Sequence, residues 1–175
     1  MVVFGLAGWS GSGKTTLLVE LVGRISALGY TVSTVKHAHH AFDVDTPGKD
    51  SHRHRLAGAR EVMVASGNRW ALMHELRGAP EPALADLVAH MTPVDLLLVE
   101  GFKNHAHDKL EIWRAANGQP LRAPEDPAIV AVASDTPDAV APQVGVPVLD
   151  LNDIDTLVAF IVGHCRLAAT RRASA

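Results

Sequence analysis

Gly8–Trp9–Ser10–Gly11–Ser12–Gly13–Lys14–Thr15 is the stretch that decides how the rest of the chain is read. It fits the spacing G-x-x-x-x-G-K-[ST], and both of its flanks suit that motif. The apolar run Val2–Val3–Phe4–Gly5–Leu6–Ala7 precedes it, with the length and composition of a strand buried on both faces of a parallel sheet. This run predicts the first and central strand. Behind the loop, Leu17, Leu18, Leu21, Val22, Ile25 and Leu28 recur at helical spacing, and Gly29 predicts the stop. Glycines let the backbone curl so that successive N–H groups point at one anion, and the helix N-terminus adds its dipole. The loop from Gly8 to Thr16 is therefore expected to hold the phosphates of a purine nucleoside triphosphate with Mg²⁺. Trp9, Ser10, Gly11, Ser12, Gly13, Lys14, Thr15 and Thr16 are its binding residues. Lys14 reaches the β- and γ-phosphates and Thr15 offers its hydroxyl to the metal. Trp9 either stacks on a ligand or is a half-buried loop aromatic.

Working outward, Tyr30 to Val35 is rich in β-branched residues and predicts a second strand, followed by a polar loop from His37 to Gly48. Asp50 is placed to cap a helix reaching about Gly58, and strands are expected at Glu61 to Ser66 and Arg69 to Glu75. Leu84, Leu87, Val88 and Met91 form one stripe on a helix from Pro82 to Met91, before a buried strand at Val94 to Val99. Further strands are expected at Lys109–Trp113, Ala128–Ala133 and Val146–Leu149, with ordered loops at Pro120 to Pro127 and Pro137 to Pro147. A last helix runs from Ile154 to about Ala169, capped by Asn152 or Asp153. Strands alternating with helices predict an α/β chain with a three-layer P-loop NTPase fold, its sheet mostly parallel and helices on both faces.

Composition narrows the function classes. A chain of 175 residues with 47% apolar content is expected to form a single domain over 1–170, with 171–175 as a tail. The net charge of −3 removes the global attraction that non-specific nucleic-acid binding uses. The single cysteine, Cys165, excludes an internal disulfide and is expected as a buried apolar filler on the last helix. With no basic leader and no apolar run long enough for a bilayer, a cytoplasmic location away from the membrane is expected.

A phosphate loop needs an acidic partner at the end of a neighbouring apolar strand, to order Mg²⁺ or the attacking water. Glu100, behind Leu97–Leu98–Val99, has that place, whereas Asp95 opens the strand at the other end and is expected to be solvated. His37, His39 and His40 lie near Asp43 and Asp45, a set able to bind a transition metal, or simply to hydrogen-bond within a loop. His52, His54, His105 and His107 are expected at the surface. Lys49, Arg53 and Arg60 are expected on one side of the helix after Asp50, suited either to a phosphorylated pterin or to solvent.

Several blocks go beyond a generic phosphate loop: Val35–Lys36–His37–Ala38–His39–His40, Asp43 to Ser51 (D-x-D-x-P-G-K-D-S), Arg55–Leu56–Ala57–Gly58–Ala59, Arg69–Trp70–Ala71–Leu72–Met73, and Leu98–Val99–Glu100–Gly101–Phe102–Lys103. In this order they resemble the molybdopterin-guanine dinucleotide biosynthesis protein B (MobB) family, from Met1 to about Val162. The resemblance implies a homodimeric GTP-binding protein with at most a slow Mg²⁺-dependent GTPase activity. It also implies a partner, the guanylyltransferase MobA, which attaches GMP to molybdopterin, and molybdopterin itself as a further ligand. Carried over by residue, Gly11 to Thr16 hold the phosphates, Lys14, Glu100 and Asp45 are the catalytic residues, and Thr15, Glu100 and Asp45 serve the metal. The histidine and D-x-D stretch becomes a switch-like loop near the γ-phosphate. Asp135, at the end of the strand Ile129–Val132, has the position of a guanine-reading carboxylate, although the Asn–Lys pair that usually precedes one is missing. An Asp that merely starts a turn is the other reading.

Two alternatives stay open at this level. One is a small-molecule kinase with Glu100 or Asp45 as base and Arg114 or Arg122 over the phosphates. The other is a metallochaperone GTPase working through His37, His39 and His40.

Overall fold

A computed structural model describes residues 1–38, 42–102 and 105–168, which divide into two compact units. The first comprises Met1–His37 with Thr92–Ala175, and the second is Ala38–Met91, inserted between them. The tail at 171–175 lies outside the described residues.

The first unit is built on the run expected to be central. Strand β1 (Val2–Ala7) leads through the glycine loop into helix α1 (Lys14–Ala27) and then strand β2 (Val32–Lys36). Beyond the insertion come β5 (Leu96–Glu100), β6 (Lys109–Trp113), β7 (Ile129–Ser134), the short helix α4 (Pro137–Val140), β8 (Val148–Asp150) and α5 (Ile154–His164). The six strands form one sheet in the order β2-β5-β1-β6-β7-β8, and every neighbouring pair is parallel. Leu17, Leu21 and Ile25 of α1 and Leu157, Val158 and Ile161 of α5 cover one face, packing on Phe4, Leu6, Leu98, Leu110 and Ile112. Val140 of α4 packs on Val132, which points to the opposite face from its neighbour Ala133. Helices thus lie on both faces, as the alternation of elements implied.

Three local expectations need correction. Proline at its first position starts α4 within the segment read as an ordered loop, because Pro fits the first turn of a helix. Helix α5 stops at His164, short of Ala169, although Asp153 does cap it by accepting from Thr156 N at 3.1 Å. Asp95 is not left to solvent: its carboxylate accepts from Thr31 N at 2.7 Å and Thr31 Oγ1 at 2.6 Å.

Strand β6 carries buried charge on the face away from α1. Glu111 is fully buried and accepts from the backbone N–H groups of Arg122 and Ala123 at 2.8 Å each. Burial pushes its carboxyl above the usual range, against the opposing pull of those donors. Lys109, 2% exposed, pairs with Asp126 at 3.2 Å. These contacts fasten the segment 120–127 over the sheet, so the expected proline-bounded loop is ordered by buried polar groups.

The second unit contains α2 (Asp50–Leu56), β3 (Glu61–Ala65), β4 (Trp70–His74) and α3 (Leu84–Ala89). Here β3 and β4 pair antiparallel as a separate two-stranded sheet, a departure from a uniformly alternating pattern. Asp50 is the first helical residue of α2, and Lys49, with no capping side-chain bond, precedes it. Arg60 lies past the end of α2, so the expected one-sided cluster with Lys49 and Arg53 does not form on that helix. Among the described residues of this unit only Val62 and Leu84 are buried hydrophobics. Its organiser is Arg55, which bonds Asp43 and Glu75 and holds the Asp43 carboxyl below the ordinary carboxylate range. Met63, Leu72 and Trp70 share one face of the hairpin and are 62%, 42% and 63% exposed.

Candidate functional site

A parallel sheet sends the C-terminal ends of all its strands to one edge. That rule gathers the glycine loop after β1, Lys36 ending β2, Glu100 ending β5, Arg114 following β6 and Asp135 following β7. The strand register then sets Lys36 directly beside Glu100.

The loop itself is curled by left-handed backbone at Gly8 (φ 137°), Gly11 (φ 79°) and Gly13 (φ 94°). Gly13 is the residue before α1, and no side chain caps that helix among the described residues. Its first N–H groups and its dipole are therefore directed at whatever anion sits in the loop. Lys14 folds back along the curl, its ammonium donating to the carbonyls of Gly8 at 2.9 Å and Trp9 at 2.8 Å.

Thr15 Oγ1 donates to Glu100, lying 3.0 Å from Oε1 and 3.1 Å from Oε2. Glu100 is buried, at the end of a strand buried throughout. A buried carboxylate is unfavourable without partners, and this one has a hydroxyl and the Lys36 ammonium at 3.5 Å. Two hard oxygen groups side by side are what Mg²⁺ takes, with water and phosphate completing its shell. The residues present fit such an ion.

Asp135 is tied to the loop through a residue that no motif marks. Arg114 donates from Nε to the Ser12 carbonyl at 3.2 Å and from Nη1 to Asp135 Oδ2 at 3.0 Å. The other carboxylate oxygen, Oδ1, is buried without a hydrogen-bond partner among the described residues. Arg114 thus stands between the loop and Asp135, where the sequence offers no Asn–Lys pair. Trp9 lies beside this assembly as a half-buried aromatic, its indole N–H donating to Pro120 O at 2.8 Å and the Arg122 guanidinium 5.2 Å above its ring. Together with Lys109, Leu121 and Asp126 they line an open cavity of about 810 Å³.

This loop, its acid and the parallel sheet coincide with a known family. The family model described as molybdopterin guanine dinucleotide synthesis protein B, MobB, matches residues 3–135, a span that includes Lys14, Lys36, Glu100 and Asp135. The chain belongs to the MobB family. It is 42% identical over 163 residues to the molybdopterin-guanine dinucleotide biosynthesis adapter protein of Escherichia coli K12, covering 91% of each chain. To the protein of the same name from Haemophilus influenzae it is 40% identical over 163 residues, covering 91% of this chain and 86% of that one. Among solved structures, the MobB homologue from Bacillus stearothermophilus superposes with a TM-score of 0.66 at 26% identity, over 96% of this chain and all of that one.

The remaining MobB blocks are divided between the two units. Asp45 lies in the second unit, where it accepts from Ser51 Oγ at 2.7 Å and faces Arg55 Nε at 3.6 Å. His39, His40 and Lys103 lie outside the described residues, and among the described ones no group of three or more His, Cys, Asp or Glu is set to hold a metal. His37 packs at a tilt against Phe102, directly after the Glu100–Gly101 turn, with ring centroids 4.8 Å apart, and Phe102 meets His105 edge-on at 5.1 Å.

His107 corrects the expectation of a surface histidine in this MobB chain. Its ring sits over Gly5, and both ring nitrogens are buried without hydrogen-bond partners among the described residues. Burial, then the neighbouring Lys109 cation, lowers its pKa from 6.5 to about 4. Below pH 6.5 the unfolded chain takes up a proton that the folded chain refuses, so stability falls from pH 6.5 towards about 4. Thermal melts across this range should show a shallower decline for His107→Asn than for the wild type; parallel declines would mean that His107 is not the group responsible.

Proposed function

We propose that this MobB-family chain is a GTP-binding adapter in molybdenum cofactor biosynthesis, assisting the guanylyltransferase MobA as it converts molybdopterin to molybdopterin guanine dinucleotide. The relatives from E. coli and H. influenzae carry the name of biosynthesis adapter for that dinucleotide. The observation that carries the nucleotide reading is the Thr15 hydroxyl 3.0 Å from the Glu100 carboxylate, beside a glycine loop that opens α1. Thr15 and Glu100 would hold Mg²⁺. The metal would supply charge neutralisation between the phosphates. Lys14 and the loop N–H groups would bind the β- and γ-phosphates, and Glu100 would orient water, giving a slow GTPase.

Asp135 would read guanine by exchanging its Arg114 bond for guanine N1–H and N2–H₂, donors that adenine lacks. The exposed apolar face of Met63, Leu72 and Trp70 supports a homodimer, because a two-stranded hairpin with so little buried surface is marginal by itself. No helix among the described residues is long and apolar enough to cross a membrane; the proposed place of work is the cytoplasm.

The test is nucleotide competition with Mg²⁺ for the wild type and for Asp135→Asn. GTP should outcompete ATP by at least about tenfold in the wild type, a difference of about 1.4 kcal/mol, and the preference should shrink in the variant. Equal affinity for both nucleotides in the wild type would remove the guanine assignment. Light scattering on the same samples reports the dimer. Of the two arginines that the kinase alternative names, Arg114 bonds the Ser12 carbonyl and Asp135, and the Arg122 guanidinium lies over the Trp9 ring.

A further inference from the structure

Lys36 belongs to none of the roles assigned so far. It is the last residue of β2, and the register sets it opposite Glu100, the last residue of β5. Its Nζ lies 3.5 Å from Glu100 Oε2 and 3.4 Å from Thr15 Oγ1. The ammonium therefore shares the carboxylate and hydroxyl that the proposed function gives to a divalent ion. Its side chain is 61% exposed, whereas that of Glu100 is 12% exposed, so the carboxylate is the fixed member of the pair and the lysine the movable one.

One carboxylate cannot serve a divalent ion and an ammonium at such distances without strong like-charge repulsion between the two cations. Lys36 must then leave Glu100 while remaining anchored at the sheet edge beside the loop. An ammonium displaced at a partly buried edge is stabilised by the nearest uncompensated negative charge. Lys14 already serves the loop from the other side, against the carbonyls of Gly8 and Trp9.

We infer that Lys36 is a second phosphate-binding lysine, which transfers from Glu100 to the terminal phosphate of a bound nucleoside triphosphate and makes the site prefer triphosphate over diphosphate. This rests on reading the glycine loop as a triphosphate site. A diphosphate leaves no terminal group at the metal corner, so Lys36 gains nothing from it. The preference comes from charge placed at the end of β2, in addition to the loop itself.

The experiment measures equilibrium binding of GDP and of a non-hydrolysable GTP analogue to the full chain in Mg²⁺, for wild type, Lys36→Met, Lys36→Arg and Lys14→Ala. Thermal melts verify that each variant is folded. For Lys36→Met, triphosphate affinity should fall by about tenfold or more, the loss expected for one charge-assisted contact, while GDP affinity stays within about twofold of wild type. Lys36→Arg should recover part of the preference. An unchanged triphosphate-to-diphosphate ratio in Lys36→Met, or an equal loss for both ligands, overturns the assignment. If the wild type binds neither ligand, or Lys14→Ala binds both as well as wild type, the phosphate-loop reading itself fails and Lys36 with it. A wild type that binds, beside a Lys36→Met that keeps the ratio, removes Lys36 alone.

Discussion

Lys14→Ala is expected to lower affinity for Mg²⁺–GTP by on the order of a hundredfold to a thousandfold, the loss of an ammonium that makes charge-assisted bonds to two phosphates. In the free protein that ammonium is held by the carbonyls of Gly8 and Trp9, at 2.9 and 2.8 Å. Binding exchanges neutral carbonyl acceptors for charged phosphate oxygens, so the gain is a difference between two hydrogen-bonded states and not the full strength of either. The variant should stay folded, because alanine is the best helix former and position 14 begins α1. Calorimetric titration of both proteins, with melting curves as a control, measures the effect. Full retention of affinity in Lys14→Ala would mean that the loop does not bind phosphate through this lysine.

Gly8→Ala should be the most damaging small substitution in the loop. A Cβ at this position would lie 2.4 Å from the backbone carbonyl oxygen of Ile112 and 2.8 Å from Ser12 Oγ, at a φ of 137° that side chains rarely adopt. The oxygen belongs to β6, which pairs with β1 in the middle of the sheet, so relief requires the two strands to move apart at the loop. Left-handed strain and the clash together should reduce stability by about 3–5 kcal/mol, and the melting temperature by on the order of 10 °C for a chain of this size. Gly23, inside α1, is the control, since a Cβ added there would meet nothing within 4 Å. Gly23→Ala should be neutral or stabilising, by up to about 1 kcal/mol. Equal melting temperatures for Gly8→Ala and wild type would show that β1 and β6 do not pack so closely at the loop.

The parts of the fold that were legible are those whose signal is local. The run Val2–Ala7 is apolar without interruption and became the central strand, and the stripe Leu17, Leu21, Ile25 became the buried face of α1. The position of Glu100 was legible because it ends a strand without a single polar interruption after Leu96. By contrast, the helix α4 hides in a segment dominated by prolines and turn residues, and four residues carry too little periodicity to declare themselves. The hairpin β3–β4 was visible as two strands, but its isolation from the main sheet was not. Strand propensity is silent about which partner a strand takes. Asp95 and His107 were misjudged for a related reason: one finds Thr31 across 64 residues, and the other is covered by packing over Gly5.

By itself, then, the sequence determined the chemistry available to this protein: a curled loop of backbone donors, one lysine and one hydroxyl set at fixed spacing, and an acid at the end of an apolar strand. These follow from neighbours within a few residues, where backbone geometry leaves few choices. Only the tertiary structure decided which strand ends adjoin. The parallel register set Lys36 against Glu100, and the loop after β7 brought Asp135 to Arg114, which in turn holds the Ser12 carbonyl. Such pairings depend on sheet order and register, which the whole core fixes by burying Phe4, Leu98, Leu110 and Ile112 together.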